Sequence, residues 1–150
     1  MLKVLIVDDE TVVRRGIVLG VDWASMDCVV VGEAANGEEG LAAAERYNPN
    51  LIITDVRMPR MDGIEMMRRL REKESTAHFI ILTAYDEFDY ARAALRYGAA
   101  DYLLKPFRDQ DLMSAIARVR EKEGAAQPAE DTLLLPKGDK SKYVLQTLNY

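Results

Sequence analysis

Short apolar runs rich in β-branched residues alternate along the chain with stretches whose apolar positions recur every three to four residues. The runs Lys3–Asp8, Val29–Ala34, Leu51–Thr54, Phe79–Thr83 and Asp101–Leu104 predict strands. They are short and almost continuously apolar, as strands buried on both faces are. The stretches Thr11–Leu19, Glu38–Tyr47, Ile64–Lys73, Phe88–Tyr97 and Asp111–Glu123 predict helices. Regular alternation of the two implies an α/β fold with a parallel sheet covered by helices on both faces.

Local chemistry agrees with these elements. Asn36 followed by Glu39 predicts a capping box at the start of the second helix. Asp86 and Asp89 place negative charge at the start of the fourth, where the helix dipole favours it. Gly98 follows the last turn of that helix, where a left-handed residue is wanted. Leu112, Ile116 and Val119 form one stripe on the fifth helix, with Arg118, Arg120 and Glu121 facing away. Pro59 and Gly63 bracket a turn after the third strand.

The polar residues that close the strands carry the chemistry. Asp8 and Asp9 close the first run, Asp55 the third, and Lys105, followed by Pro106, the fifth. In an open parallel sheet these exits line one edge, where the ligand crevice forms. Three carboxylates and one ammonium are thereby gathered in one place. Carboxylates so close repel, and a divalent cation relieves them. Taken singly, Asp8 or Asp9 could equally cap the first helix, and Thr83 could be a β-branched strand end.

Composition narrows the class. The length, 150 residues, suits one domain able to bury a core without staples. A single cysteine, Cys28, excludes an internal disulfide and fits a reducing compartment. No secretory leader and no membrane-spanning stretch are expected, which places the chain in the cytoplasm. The net charge of −5 argues against nucleic-acid binding by these residues alone. His78 has no second ligand partner nearby and is not expected to bind metal. Cys28, Met58, Met61, Met66 and Met67 read as packing residues. Trp23 is expected to cover an end of the sheet.

Asp8-Asp9, Asp55, Thr83-Ala84 and Lys105-Pro106-Phe107, in this order and at these strand ends, resemble the receiver domain of bacterial two-component response regulators. The match covers roughly residues 1–123. The insert Val21-Asp22-Trp23 and the run Ala84–Ala91 resemble the YesN-like branch, whose output is an AraC-type DNA-binding domain. The resemblance implies a flavodoxin-like, doubly wound five-stranded sheet in the order 2-1-3-4-5.

It also implies roles. Asp55 would be the phosphoacceptor for a sensor histidine kinase. Asp9, Asp55 and the backbone carbonyl of Arg57 would bind Mg²⁺, with Asp8 acting directly or through water. Thr83, Ala84 and Lys105 would receive the phosphoryl group, with small Ala84 leaving room for the donor. The Lys105–Pro106 bond would be cis, aiming the lysine inward. Tyr102 would turn inward together with Thr83, altering the face made by helix four, strand five and helix five. That face is also the expected surface for a homodimer. Arg57 and Tyr85 occupy positions that tune acyl-phosphate lifetime in the family. No turnover of an external substrate is implied, only self-phosphorylation and self-dephosphorylation.

Two other readings stand beside this one. An aspartyl-phosphate hydrolase would share the fold and chemistry but carries a D-x-D pattern after strand one, where this chain has adjacent aspartates. A stand-alone receiver would act through protein contacts only. Residues 124–140 have linker composition. Residues 141–150, with Val144, Leu145 and Leu148 in a stripe, resemble the first helix of an AraC-type domain. The expectation is that the DNA-binding domain itself is missing, so that these residues do not bind DNA.

Overall fold

The computed structural model describes residues 1–84 and 88–132, apart from the side chains of 88, 90, 91 and 125–132. Five strands are present there: β1 (Leu2–Val7), β2 (Cys28–Ala34), β3 (Leu51–Asp55), β4 (His78–Thr83) and β5 (Asp101–Leu104). Five helices connect or follow them: α1 (Thr11–Gly20), α2 (Gly37–Tyr47), α3 (Gly63–Glu72), α4 (Phe88–Arg96) and α5 (Asp109–Thr132). A single 3₁₀ turn, Ala24–Met26, leads into β2. The strands form one parallel sheet in the order β2-β1-β3-β4-β5, as expected.

The alternation of the strands sorts the core. Leu5, Val7, Ile52, Phe79 and Ile81 join Met61, Met66, Met67 and Leu70 in one cluster with Ala44 and Ala94. Their neighbours in sequence, Val4, Ile6, Ile53, Ile80 and Leu82, point to the opposite face by the period-two rule and are fully buried too. Each such side chain contributes about 1.5–3 kcal/mol by leaving water. The central strands β1, β3 and β4 therefore form a stiff platform at whose edge the polar residues sit.

Helix starts follow local rules. The Asn36 side chain accepts a hydrogen bond from the Glu39 N–H at 2.9 Å, and Glu39 reaches back to the Ala35 N–H at 3.0 Å. This is the expected capping box shifted by one residue on its return bond. Gly98 has φ +81°, the left-handed conformation that closes α4. Trp23 is half-buried and its Nε1 donates to the Val18 carbonyl at 3.0 Å, tying the insert to α1. Cys28 is buried.

One boundary differs clearly. α5 begins at Asp109, two residues early, because the Asp111 carboxylate accepts from the Arg108 N–H at 3.2 Å and closes the first turn. It runs on to Thr132, so residues 124–132 of the expected linker are helical. Ala125, Ala126, Ala129 and Glu130 are strong helix formers, and they carry the helix past the Gly and Pro that suggested a break. The unit Met1–Ala117 holds the sheet; from Arg118 the chain belongs to a second unit, whose described part is the end of α5. Tyr85, Asp86, the rest of the expected linker and the expected helix at 141–150 lie outside the described residues.

Candidate functional site

Strand register brings the polar residues together. Val7 pairs with Thr54, Asp55 with Leu82, and Thr83 with Leu104. Asp8, Asp55, Thr83 and Lys105 are each at or one residue beyond these pairs, so all four project at the same sheet edge. Val4, Ile6, Ile53, Ile80 and Leu82 behind them are fully buried, so a slip by one residue would exchange the side chains packed on the two faces of a strand and carry its terminal polar residue out of line with the others.

Asp8 is fully buried. Its Oδ1 accepts from the Glu10 N–H at 2.9 Å and its Oδ2 from Lys105 Nζ at 3.1 Å. It does not cap α1, whose N-cap residue is Glu10, with no side-chain cap bond. Asp55 is nearly as buried; its Oδ1 accepts from the Val56 N–H at 2.8 Å, and its Oδ2 lies 3.2 Å from Lys105 Nζ. Asp9 is exposed. One carboxylate oxygen from each of Asp8, Asp9 and Asp55 falls within 4.8 Å of the others.

The Lys105–Pro106 bond is cis, and the Lys105 N–H donates to the Thr83 carbonyl at 2.8 Å. Thr83 is fully buried, with its hydroxyl donating to the Ala84 carbonyl at 3.2 Å. Arg57, two residues past Asp55, is exposed. Tyr102 is 41% exposed on the edge strand β5 and stands outward.

Electrostatics follow from this packing. Burial, then the neighbouring Asp8 charge, pushes the Asp55 carboxyl up to about 6, against the pull of Lys105. Burial also raises Asp8, offset in part by the Glu10 N–H and Lys105. Burial lowers Lys105, but the charges of Asp55 and Asp8 outweigh it and hold the ammonium above its usual range. One ammonium thus serves two buried carboxylates beside a third, and the excess charge is negative. The donors are all hard oxygens, the set that suits Mg²⁺ or a similar cation. The residues present therefore fit a divalent ion.

Three contributions to the site were not read from the sequence. Glu10 Oε1 lies 3.4 Å from Lys105 Nζ, a third acidic contact on the same lysine. Arg14 Nη1 donates to the Asp8 carbonyl at 2.7 Å while its Nε donates to Glu33 at 3.0 Å, so β2 helps to hold the Asp8 backbone. Gly63 does more than turn the chain: a Cβ there would stand 2.2 Å from the Asp55 carbonyl oxygen, so α3 starts directly against the Asp55 backbone. Only the Asp-Asp pair preceding Glu10 and the turn around Gly63 hinted at these in the sequence.

The sequence model described as "Response regulator receiver domain" matches residues 4–117. The chain is similar to the "Uncharacterized transcriptional regulatory protein YesN" of Bacillus subtilis, 35% identical over 119 residues, which are 79% of this chain and 32% of that protein. It is also similar to the "Transcriptional regulatory protein BtsR" of Escherichia coli, 37% identical over 141 residues, or 94% of this chain and 56% of BtsR. The chain thus spans between a third and somewhat over half the length of these relatives. Among solved structures, the REC domain of AraT, a response regulator from Geobacillus stearothermophilus, superposes with a TM-score of 0.80 at 44% identity over 84% of this chain and 98% of that one. A two-component transcriptional regulator AraC from Clostridium phytofermentans gives a TM-score of 0.77 at 31% identity, covering 85% and 98%.

Proposed function

The chain belongs to the response regulator receiver family, the module through which two-component systems control transcription, and from that premise we propose that Asp55 accepts a phosphoryl group from a sensor histidine kinase. The observation that carries this reading is the position of Lys105 Nζ, 3.2 Å from Asp55 Oδ2 and 3.1 Å from Asp8 Oδ2. A fixed cation beside a buried carboxylate is the arrangement that phosphoryl transfer needs, because that chemistry is mostly positioning and charge neutralisation.

An Asp55 carboxylate oxygen attacks phosphorus; the new P–O bond forms as the donor's P–N bond breaks, and its electron pair leaves with the imidazole nitrogen. With its carboxyl raised to about 6, Asp55 is largely ionised at neutral pH and more basic than a surface aspartate. Lys105, held above its usual range, stays an ammonium and faces the developing charge. Thr83 donates its hydroxyl to a phosphoryl oxygen, and Ala84 leaves space for the donor. Asp8, Asp9, Asp55 and the Arg57 backbone carbonyl would hold Mg²⁺, which when bound supplies positive charge to the phosphoryl oxygens. Hydrolysis of its own acyl phosphate is the only turnover this reading assigns, so the domain is a switch and not an enzyme acting on free substrates.

The acyl phosphate adds about −1.5 to −2 charges beside Thr83. Thr83 and Lys105 move to it, and Tyr102, outward on β5, turns inward and resets the face formed by α4, β5 and α5. That face is the homodimer surface on this reading, and its exposed Leu95, Tyr102 and Leu104 support the assignment. Control of transcription runs through an output segment outside residues 1–117; the acidic receiver does not itself contact DNA. No helix among the described residues is long and apolar enough to cross a membrane, and the proposed place of action is the cytoplasm. The test is intact-mass spectrometry after incubation with acetyl phosphate. Wild type should gain one labile phosphoryl group only when Mg²⁺ is present. An Asp55→Asn protein that gains the same labile mass would contradict the assignment.

A further inference from the structure

Three arginines crowd the last two turns of α3, and one behaves unlike the others. Arg68 and Arg69 pair with Glu65 and Glu72 along the helix. Arg71 turns inward, its guanidinium 5.0 Å from the ring centroid of Phe79, a fully buried residue of β4. Its Nε donates to the Tyr97 carbonyl at 2.7 Å; its Nη1 donates to the carbonyls of Ser75 at 2.9 Å and Ala77 at 2.8 Å. No carboxylate among the described residues pairs with it, and burial pulls the guanidinium below its ordinary value. A cation so placed is tolerated where carbonyl dipoles replace its water. One side chain thereby ties together the end of α3, the loop entering β4 and the end of α4.

The end of α4 is shaped to receive it. The Tyr97 carbonyl belongs to the turn whose C=O groups lack helical partners and carry the negative end of the helix dipole. Gly98 stands at φ +81°, which a side chain would strain, and Arg71 Nη2 would lie 3.6 Å from a Cβ there, so the guanidinium packs alongside this turn at ordinary contact distance. The N–H groups of Tyr97, Gly98 and Ala99 all donate back to Ala94 or Leu95, and the Ala100 N–H donates to the Phe79 carbonyl at 2.8 Å. Ala94 is fully buried, and Tyr97 and Ala99 pack against the core cluster. Side chain, backbone and core all fasten the same end of this helix.

We propose that Arg71 is a fixed pivot for α4, so that the rearrangement set off by phosphorylation is a swing about the C-terminal end of the helix and not a displacement of the whole helix. The proposal rests on the phosphoacceptor reading above. It follows that the end of α4 nearer Thr83 carries the signal, while the Tyr97–Ala100 turn stays registered to α3 and β4 in both states. Arg71 touches neither the carboxylate cluster nor Lys105, so it can shape the response without entering the chemistry.

The test is residue-resolved hydrogen exchange on the full chain, with and without beryllium trifluoride and Mg²⁺ as the phosphoryl analogue. In wild type the amides of residues 97–100 should keep their exchange rates on adding the analogue, while those early in α4 change. In Arg71→Met the same four amides should exchange roughly tenfold faster already in the free state, as loss of one charge-assisted hydrogen bond implies, and the analogue's effect should spread to them. Arg71→Lys, which keeps the charge but not the fork, should fall between. Equal changes along the whole of α4 in wild type would overturn the pivot, whether or not either variant folds, and so would a folded Arg71→Met with wild-type rates at 97–100. Intact mass after acetyl phosphate treatment separates the two readings. A wild type that takes no phosphoryl group removes the phosphoacceptor premise and the pivot with it; a phosphorylated one with a uniform α4 response removes the pivot alone.

Discussion

Lys105 Nζ lies 3.1 Å from Asp8 Oδ2 across 97 residues of sequence. The contact joins the exit of β1, a central strand, to the exit of β5, the edge strand, and passes over Asp55 on β3 between them. A single ammonium therefore answers for both buried carboxylates. Its removal leaves two desolvated negative charges with backbone N–H groups as their remaining partners.

Lys105→Met should accordingly destabilise the protein, although the new side chain packs well. Breaking a buried ion pair from one side costs roughly 3–5 kcal/mol when both partners are sequestered. Lys105 is 18% exposed, so about 1–3 kcal/mol is expected. Denaturant melts at neutral pH in EDTA measure it. Unchanged stability would mean that the lysine does not neutralise the cluster.

Metal-free stability should depend on pH through Asp55. The carboxyl has an ordinary value of 3.8 and is raised to about 6 in the fold. Between these values the folded state keeps a proton that the unfolded state has lost. The contribution is therefore fully present below about pH 4 and is lost as pH rises to about 6, by up to about 3 kcal/mol. Asp55→Asn should remove that part of the slope and be more stable than wild type at neutral pH in EDTA. Superimposable pH profiles for the two proteins would contradict it.

Divalent cations should reverse this penalty. A ligand that binds only the assembled cluster stabilises by about 1.4 kcal/mol at tenfold over its dissociation constant. Thermal melting should rise through a millimolar Mg²⁺ series, and Asp9→Asn should weaken the rise while leaving the fold intact, because Asp9 is exposed. A flat series in wild type counts against a cation here.

Two glycine substitutions should move in opposite directions. Gly63→Ala places a Cβ 2.2 Å from the Asp55 carbonyl oxygen, a backbone atom that cannot step aside. A loss at or above the usual overpacking range of about 1–3 kcal/mol is expected, together with slower phosphorylation as Asp55 shifts. Gly16→Ala, in the middle of α1 with nothing within 4 Å of the added carbon, should stabilise by about 0.5–1 kcal/mol. Equal effects at the two positions would show that the close approach at Gly63 is unimportant.

Much of this was legible along the chain because the relevant information is local. The apolar runs ended by Asp8, Asp55 and Lys105 announce buried parallel strands, and parallel strands must present their exits at one edge. The strand order 2-1-3-4-5 and the cis bond before Pro106 came from family resemblance; periodicity alone implies neither. The sequence pattern could not rank Asp8 against Asp9, since adjacent residues on a strand exit differ only in which face they take. Tertiary packing decides that Asp8 is buried and Asp9 exposed. It alone brings Glu10 to Lys105, pushes Asp55 to about 6 and seats Gly63 on the Asp55 backbone. Likewise, Arg68, Arg69 and Arg71 are three similar letters in one helix, and only the packing of α3 against Phe79 and the end of α4 turns the third one inward. These properties depend on distance and local dielectric between segments far apart in sequence, and a pattern of neighbours carries neither.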